Sequence, residues 1–394
     1  IDVRNAGEVV PGFEPTTILT SGPPMAWEEI VGGQREAVIG AAQYEGLGAD
    51  REEVMKKLDS GDIVVRPCSD LACVGSVAGV YSASMPVFVV EDADTHSVAF
   101  CNLYEGSSPR RLNYGCYDED VHQRLVWIRD QLGPTLASVV RSVGPIELRP
   151  IMSRALHMGD ELHSRNNAAC LLFLAAVLER AGAGAEAASL LSALKEVTSD
   201  QYFFLRLSMA AAKCMADRAP GVPCSSVVTA MAIGCNGFGI RVSGLDGRWF
   251  TGPPPVFEGH FFEGYGAADV SWMGGESIMA ETAGLGGFSQ AAAPALQKYQ
   301  GGTVATMVRR NLDMYEITVA EHDEFRIPYL DYRGSPVGID VFKVLETRIT
   351  PVMDAGLAGR NGGQIGAGVV RAPLECFEAA ADAYRQEYGD PHER

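Results

Sequence analysis

The densest run of chemically competent side chains is His157-Met158-Gly159-Asp160-Glu161-Leu162-His163-Ser164-Arg165-Asn166-Asn167. Imidazole and carboxylate groups set this close can pass protons between them or hold a divalent metal. If the run is helical, Asp160, His163 and Asn167 share one face at spacings of three and four. His157 and Glu161 then stand one turn apart on the neighbouring face. A plainer arrangement uses the same residues: Gly159 breaks the chain, Asp160 caps the next helix, and His163 bonds to Asp160. The pattern leaves both readings open.

Two glycine-rich segments come next. Glu281-Thr282-Ala283-Gly284-Leu285-Gly286-Gly287 places a carboxylate before a flexible turn. Arg360-Asn361-Gly362-Gly363-Gln364-Ile365-Gly366-Ala367-Gly368 offers backbone N–H groups beside a guanidinium, a concavity suited to phosphate or carboxylate. Neither is a Walker A loop or a dinucleotide fingerprint, and both are also readable as plain tight turns. Cys68 has no histidine near it in sequence and reads as a buried structural thiol rather than a nucleophile. Glu105 with Arg110 and Arg111 is a weaker anion-site candidate, since paired arginines commonly form a solvated face.

These groups need elements to hold them. A Thr17–Thr20 strand, helices over 27–45 and 51–58 with Asp50 as N-cap, and strands over 62–66 and 87–91 form a mixed first part. Helical periodicity dominates 118–219, with segments at 120–132, 166–181, 186–197 and 200–218. The segment at 166–181 is apolar all round, which predicts a central buried helix. Glycine rises from Cys224 onward, where strands near 240–242 and 317–320 precede a closing helix over 377–388. The expected fold is α+β, two mixed α/β lobes with a helical middle, divided at 1–117, 118–222 and 223–394.

A chain of 394 residues is long enough for two or three cores. Its net charge of −18 argues against a nucleic-acid backbone or an anionic membrane as main partner. A small anionic substrate stays compatible with it, through a local basic pocket. The nine cysteines have no metal-type spacing and no disulfide framework, which points to a reducing, cytoplasmic setting. The longest apolar run, Ala168 to Leu178, falls well short of the ~20 residues a membrane helix needs. No signal peptide is visible, and Ile1 reads as the start of a piece of a longer product.

Six stretches, in order, resemble one family: Ile18 to Glu28, Pro67 to Val87, Ala155 to Asn166, Ala280 to Pro294, Ile327 to Val344 and Gly363 to Gly368. It is the FdrA-associated family of YlbE/AllG- and YahG-like proteins. The resemblance implies a carbamoyltransferase subunit related to that of oxamate carbamoyltransferase, working beside an FdrA-type partner subunit. It also implies an upstream α/β segment, in the same chain or another. His157, Asp160, Glu161, His163, Arg165 and Asn166 match its motif. The chain departs from the family pattern at Ser69-Asp70-Leu71, at the stretch 269–276, and before the Gly-Gln-Ile-Gly motif, where Arg360 is the nearby cation. It is therefore identified as a divergent member with an altered substrate.

The expected function is a carbamoyl- or related acyl-group transfer at a C–N bond of a small carboxylate-bearing substrate, in a homodimer. His157 or His163 serves as acid/base, with Asp160, Glu161 and Glu281 as catalytic carboxylates. Arg165, Asn166, Arg360, Gly363, Gln364, Gly286 and Gly287 bind substrate or anion. A divalent metal, if used, would sit among His157, Asp160, Glu161 and His163. The rival readings are a metal-assisted amidohydrolase or C–N lyase, and a non-catalytic scaffold subunit.

Overall fold

The structure, a computed structural model, describes residues 1–180, 187–245, 247–271 and 274–390. Valine-rich Pro86–Glu91 and Val98–Asn102 pair antiparallel as the centre of a four-stranded sheet. Asp2–Asn5 flanks it on one side and the short Cys73–Val74 on the other. Helices Gly133–Val143 and Tyr202–Ala216 cover this sheet. Phe88 meets the edge of Phe203 at 5.7 Å between ring centres, and Phe173 packs on Phe203 and Phe204. One apolar core therefore joins the first sheet to the helical middle and reaches on to Met279 and Leu285.

A second core lies in the last third. The meander Val228–Ile233, Phe238–Val242 and Phe250–Gly252 packs under the closing helix Leu374–Tyr388. Beside it, Val256–Phe261, Gln364–Arg371 and Val352–Ala358 form an antiparallel sheet with Gln364–Arg371 in the middle. A third core surrounds Gly32–Tyr44, with Ile18, Val54, Leu112 and Leu125. The architecture is α+β, as the sequence pattern implied.

Local signals explain several boundaries. Asp50 caps the helix Arg51–Ser60 by accepting from the Glu53 N–H at 2.9 Å. The region read as one helix over 27–45 splits into a short turn, Trp27–Glu29, and the helix Gly32–Tyr44, because Gly32 takes a left-handed φ of 60°. The helix Asn167–Arg180 corrects a further expectation. Ala168, Ala169 and Cys170 are buried in the first turn and burial continues only at Phe173 and Val177, while Leu171 and Leu178 stand 59% and 49% exposed. It is a peripheral helix: apolar content alone did not distinguish a helix buried on all sides from one buried along a stripe. Ala181 and Glu186, at the ends of two expected helices, lie outside the described residues, as do Trp272 and Met273.

Candidate functional site

The cluster at 157–167 is a loop, not a helix. The helix Leu148–His157 ends at His157, Gly159 turns the chain at φ 98°, and the next helix begins at Asn167. The carboxylates cause the break by bonding to backbone N–H groups, the competition that keeps such residues out of helix interiors. Asp160 accepts from the Ala169 N–H at 2.9 Å, placing an anion at the start of the following helix. Burial raises its carboxyl to about 6, against the pull of that N–H and of Arg165. Glu161 accepts from the N–H groups of His163, Ser164 and Arg165 and wraps the loop around itself. The Asn166 side chain closes the turn on the His163 carbonyl at 2.9 Å.

The loop presents His163. Its Nδ1 meets both oxygens of Glu281, at 2.8 and 3.0 Å, with both residues buried. Glu281 also accepts from the N–H groups of Gly287 at 2.9 Å and Asp354 at 2.8 Å. Gly286, at φ 57°, has no room for a side chain. A Cβ there would strike the Glu281 carboxylate and stand 3.0 Å from the His163 Cβ. The Gly286 N–H bonds to the Glu161 carbonyl at 2.8 Å. The glycine turn thus cradles the protein's own carboxylate, and the anion-binding role expected of Gly286 and Gly287 is corrected.

Asp354, in the strand Val352–Ala358, completes the group. Its Oδ1 accepts from Gln290 at 2.5 Å, while Oδ2 is buried without a donor. Burial first, and then the neighbouring Asp354, push the Glu161 carboxyl well up. Burial lowers the His163 imidazole, but the Glu281 carboxylate outweighs this and the net shift is upward. The Glu281 carboxyl is itself raised, by burial first, with His163 opposing and Asp354 adding to it. Among the described residues, His163, Glu281 and Asp354 offer ligand atoms within 4.8 Å of one another, a spacing able to hold a metal. His157 and Asp160 do not join it. His157 is exposed and packs edge-on against Tyr332 at 5.4 Å, and Asp160 serves the helix start.

His163, Ser164 and Asp354 line a cavity of about 120 Å³. Its other walls carry Arg111, Arg206 and Asn113 among Tyr104, Tyr114 and Tyr202. Arg206 is 4% exposed on the helix Tyr202–Ala216. Its Nη1 donates to Ser76 at 2.5 Å and Asn102 at 3.3 Å, while Nε is buried without a partner. Arg111 donates to the Tyr104 hydroxyl and the Gly106 carbonyl and lies 4.6 Å over the Tyr114 ring, again with Nε unmatched. Asn113 is 2% exposed, and neither atom of its amide has a partner. Unmatched buried donors are costly unless a ligand answers them.

The remaining sequence candidates fall elsewhere. Arg165 donates to the Gly159 carbonyl at 3.0 Å and lies 3.6 Å from Asp160, so it braces the loop. Arg360 is exposed, bonds to the Val270 carbonyl at 3.3 Å and borders a separate surface groove with Arg51 and Arg110. Gly363 is a buried turn residue at φ 72°, while Gln364 does line the cavity. Of the paired arginines, Arg110 pairs with Asp118 on the surface and Arg111 turns inward. Cys68 is buried, bonded to the Gly79 carbonyl, and its thiol is pushed well up by burial. Asp354, Arg206 and Asn113 were not picked out from the sequence. Only Arg206 carried a signal there, as a lone guanidinium inside the apolar run 202–212.

Fold and cavity define an α+β protein with a partly open cavity of small-molecule size, lined by both polar and apolar groups. The chain belongs to the family described as oxamate carbamoyltransferase subunit AllG, whose sequence profile matches residues 63–277. It is 40% identical to the uncharacterized protein YahG of Escherichia coli (strain K12), over 99% of this chain and 83% of that one. It is 36% identical to the oxamate carbamoyltransferase subunit AllG of the same organism, over 99% and 94%. A crystal structure of a conserved protein of unknown function from Enterococcus faecalis V583 matches with a TM-score of 0.92 at 38% identity, over 98% and 93%. No described helix is long and apolar enough to cross a membrane.

Proposed function

We propose that this chain is the carbamoyl- or related acyl-transferring subunit of an enzyme acting at a C–N bond of a small carboxylate-bearing substrate. The observation that carries the reading is the cavity in which the unmatched donors of Arg111, Arg206 and Asn113 share walls with the buried His163. Acyl transfer at nitrogen passes through a tetrahedral intermediate whose oxygen becomes anionic. The two guanidinium groups hold the anionic parts of the reactants. Asn113 supplies both a donor and an acceptor, which matches a carbamoyl amide. His163, set in place by Glu281, handles the proton of the attacking or leaving nitrogen.

The relative AllG is a subunit of oxamate carbamoyltransferase, and we extend that assembly to this chain, with an FdrA-type partner. The sequence departures from the family pattern support a different carboxylate-bearing acceptor. A second reading, metal-assisted amide hydrolysis or C–N lysis, is favoured by the close set of His163, Glu281 and Asp354. One assay separates the two. The chain, purified with whatever subunits accompany it, is given carbamoyl phosphate with and without small amino- or amide-bearing carboxylates, oxamate included. Transfer releases phosphate only when an acceptor is present and forms a new N-carbamoyl product; hydrolysis releases phosphate without one. Loss of the acceptor-dependent product in His163→Ala is expected, and full turnover in that variant would refute the assignment.

A further inference from the structure

Glu161, His163, Glu281 and Asp354 are all buried in one group, three carboxyls against one imidazole. Among the described residues no Lys or Arg side chain bonds to any of the three carboxyls. Arg165, the nearest guanidinium in sequence, faces Asp160 instead. Buried anions without cationic partners are strongly unfavourable, and proteins balance them with protons or metal ions. Hydrogen bonds account for most of the oxygens here: three loop N–H groups on Glu161, two on Glu281, and Gln290 on one side of Asp354. They leave the second oxygen of Asp354 with no donor, although the residue is 1% exposed. Asp354 also lines the cavity, and this oxygen is the one carboxyl oxygen of the three acids found buried without a partner among the described residues.

We propose that His163, Glu281 and Asp354 bind a first-row divalent cation, Zn²⁺ or Mn²⁺, at the wall of the cavity. Their ligand atoms lie within 4.8 Å of one another. Bonds of about 2.1 Å place ligand atoms up to roughly 4.2 Å apart, so a small inward adjustment suffices. The contact between His163 Nδ1 and the Glu281 oxygens, at 2.8 and 3.0 Å, already has the separation of adjacent ligands. An imidazole among carboxylates favours a transition ion over Mg²⁺ or Ca²⁺, which prefer oxygen alone. Loading takes Nδ1 as ligand and leaves the proton on Nε2, so in the loaded protein His163 is a ligand and its acid/base role belongs to the metal-free form. The ion supplies a Lewis acid for the carbonyl of the transferred group. That role rests on the transferase reading above; binding of the ion does not.

The test reads metal, not turnover. The full chain with its accompanying subunits is stripped with a chelator and dialysed separately against Zn²⁺, Mn²⁺ and Mg²⁺, and its metal content is measured. Expected are about one Zn²⁺ or Mn²⁺ per chain, weakened at least ~10-fold in Asp354→Asn and unchanged in His157→Ala. No retained Zn²⁺ or Mn²⁺, a preference for Mg²⁺, or undiminished binding in folded Asp354→Asn would overturn the proposal. If Asp354→Asn does not fold, pulsed electron resonance of Mn²⁺ on the wild-type chain decides. Coupling to an imidazole nitrogen supports the site, and its absence refutes it. A metal-loaded protein without transfer activity would count against the transferase reading alone.

Discussion

Replacing Arg206 with methionine tests the anion-holding half of the cavity. The side chain is 4% exposed and makes no direct salt bridge, although it shares the cavity with the buried Glu105 carboxylate and acts on it electrostatically; Nη1 is tied to Ser76 and Asn102, and Nε is unmatched. Methionine fills similar volume without the charge. If Nε makes one charge-assisted hydrogen bond to the ligand, its loss costs about 1.5–3 kcal/mol. That corresponds to a roughly 10- to 150-fold weaker dissociation constant. The assay is calorimetric titration of wild type and Arg206→Met with carbamoyl phosphate, and with inorganic phosphate as a smaller probe. Thermal melts of both proteins run alongside, because the bonds to Ser76 and Asn102 also disappear. The expected result is a cooperative melt with binding weakened in that range. Arg206→Lys should recover only part of the loss, since an ammonium lacks the planar fork. Undiminished binding in a folded Arg206→Met protein would refute the assignment.

Other substitutions separate the site from its surroundings. Gly286→Ala forces a Cβ onto the Glu281 carboxylate at a left-handed φ, so transfer activity should fall sharply, with a stability loss of about 1–3 kcal/mol in urea melts. His157→Ala should leave turnover within about twofold of wild type, because the ring is exposed against Tyr332; a loss of more than tenfold would return His157 to the site. Burial raises the Asp92 carboxyl, but bonds from Arg218 and from the Thr95 and Asp94 N–H groups outweigh it and bring it to about 2. Its stabilising contribution is thus present above the usual aspartate range near 4 and lost as pH falls toward 2. Asp92→Asn should therefore lower the melting temperature at pH 7 and converge with wild type near pH 2; an equal deficit at both pH values would contradict this.

The sequence made the site's location legible better than its geometry. Residues 157–167 stood out because short polar side chains crowd between two apolar helices, and the ordered resemblance pointed to the same stretch. The helical reading failed because i, i+3 spacing describes a helix face only where the backbone stays helical. Here Glu161 draws three N–H groups of the loop to itself. Glu281 was recognised, but its partner Asp354 was not: one acid in the apolar strand Val352–Ala358 gives no pattern, and nothing local reveals a contact between such distant segments. Arg165 and Arg360 were chosen for charge near a motif, yet each bonds to a backbone carbonyl. Arg206 and Arg111 hold the more informative positions because tertiary packing turns them inward. For the fold, the capped helix at Arg51–Ser60 followed from local chemistry. The core that continues across positions 118 and 222 followed from long-range packing that periodicity does not encode.

On this proposal the cavity between the arginines and His163 is where a carbamoyl or related acyl group is handled. A crystal structure of the chain with carbamoyl phosphate bound tests it most directly. Density is expected inside this cavity, with the phosphate within hydrogen-bonding distance of Arg206 Nε and the carbamoyl group toward Asn113 and His163. Density confined to the surface groove at Arg360, with the cavity free of ligand at saturating concentration, would contradict it.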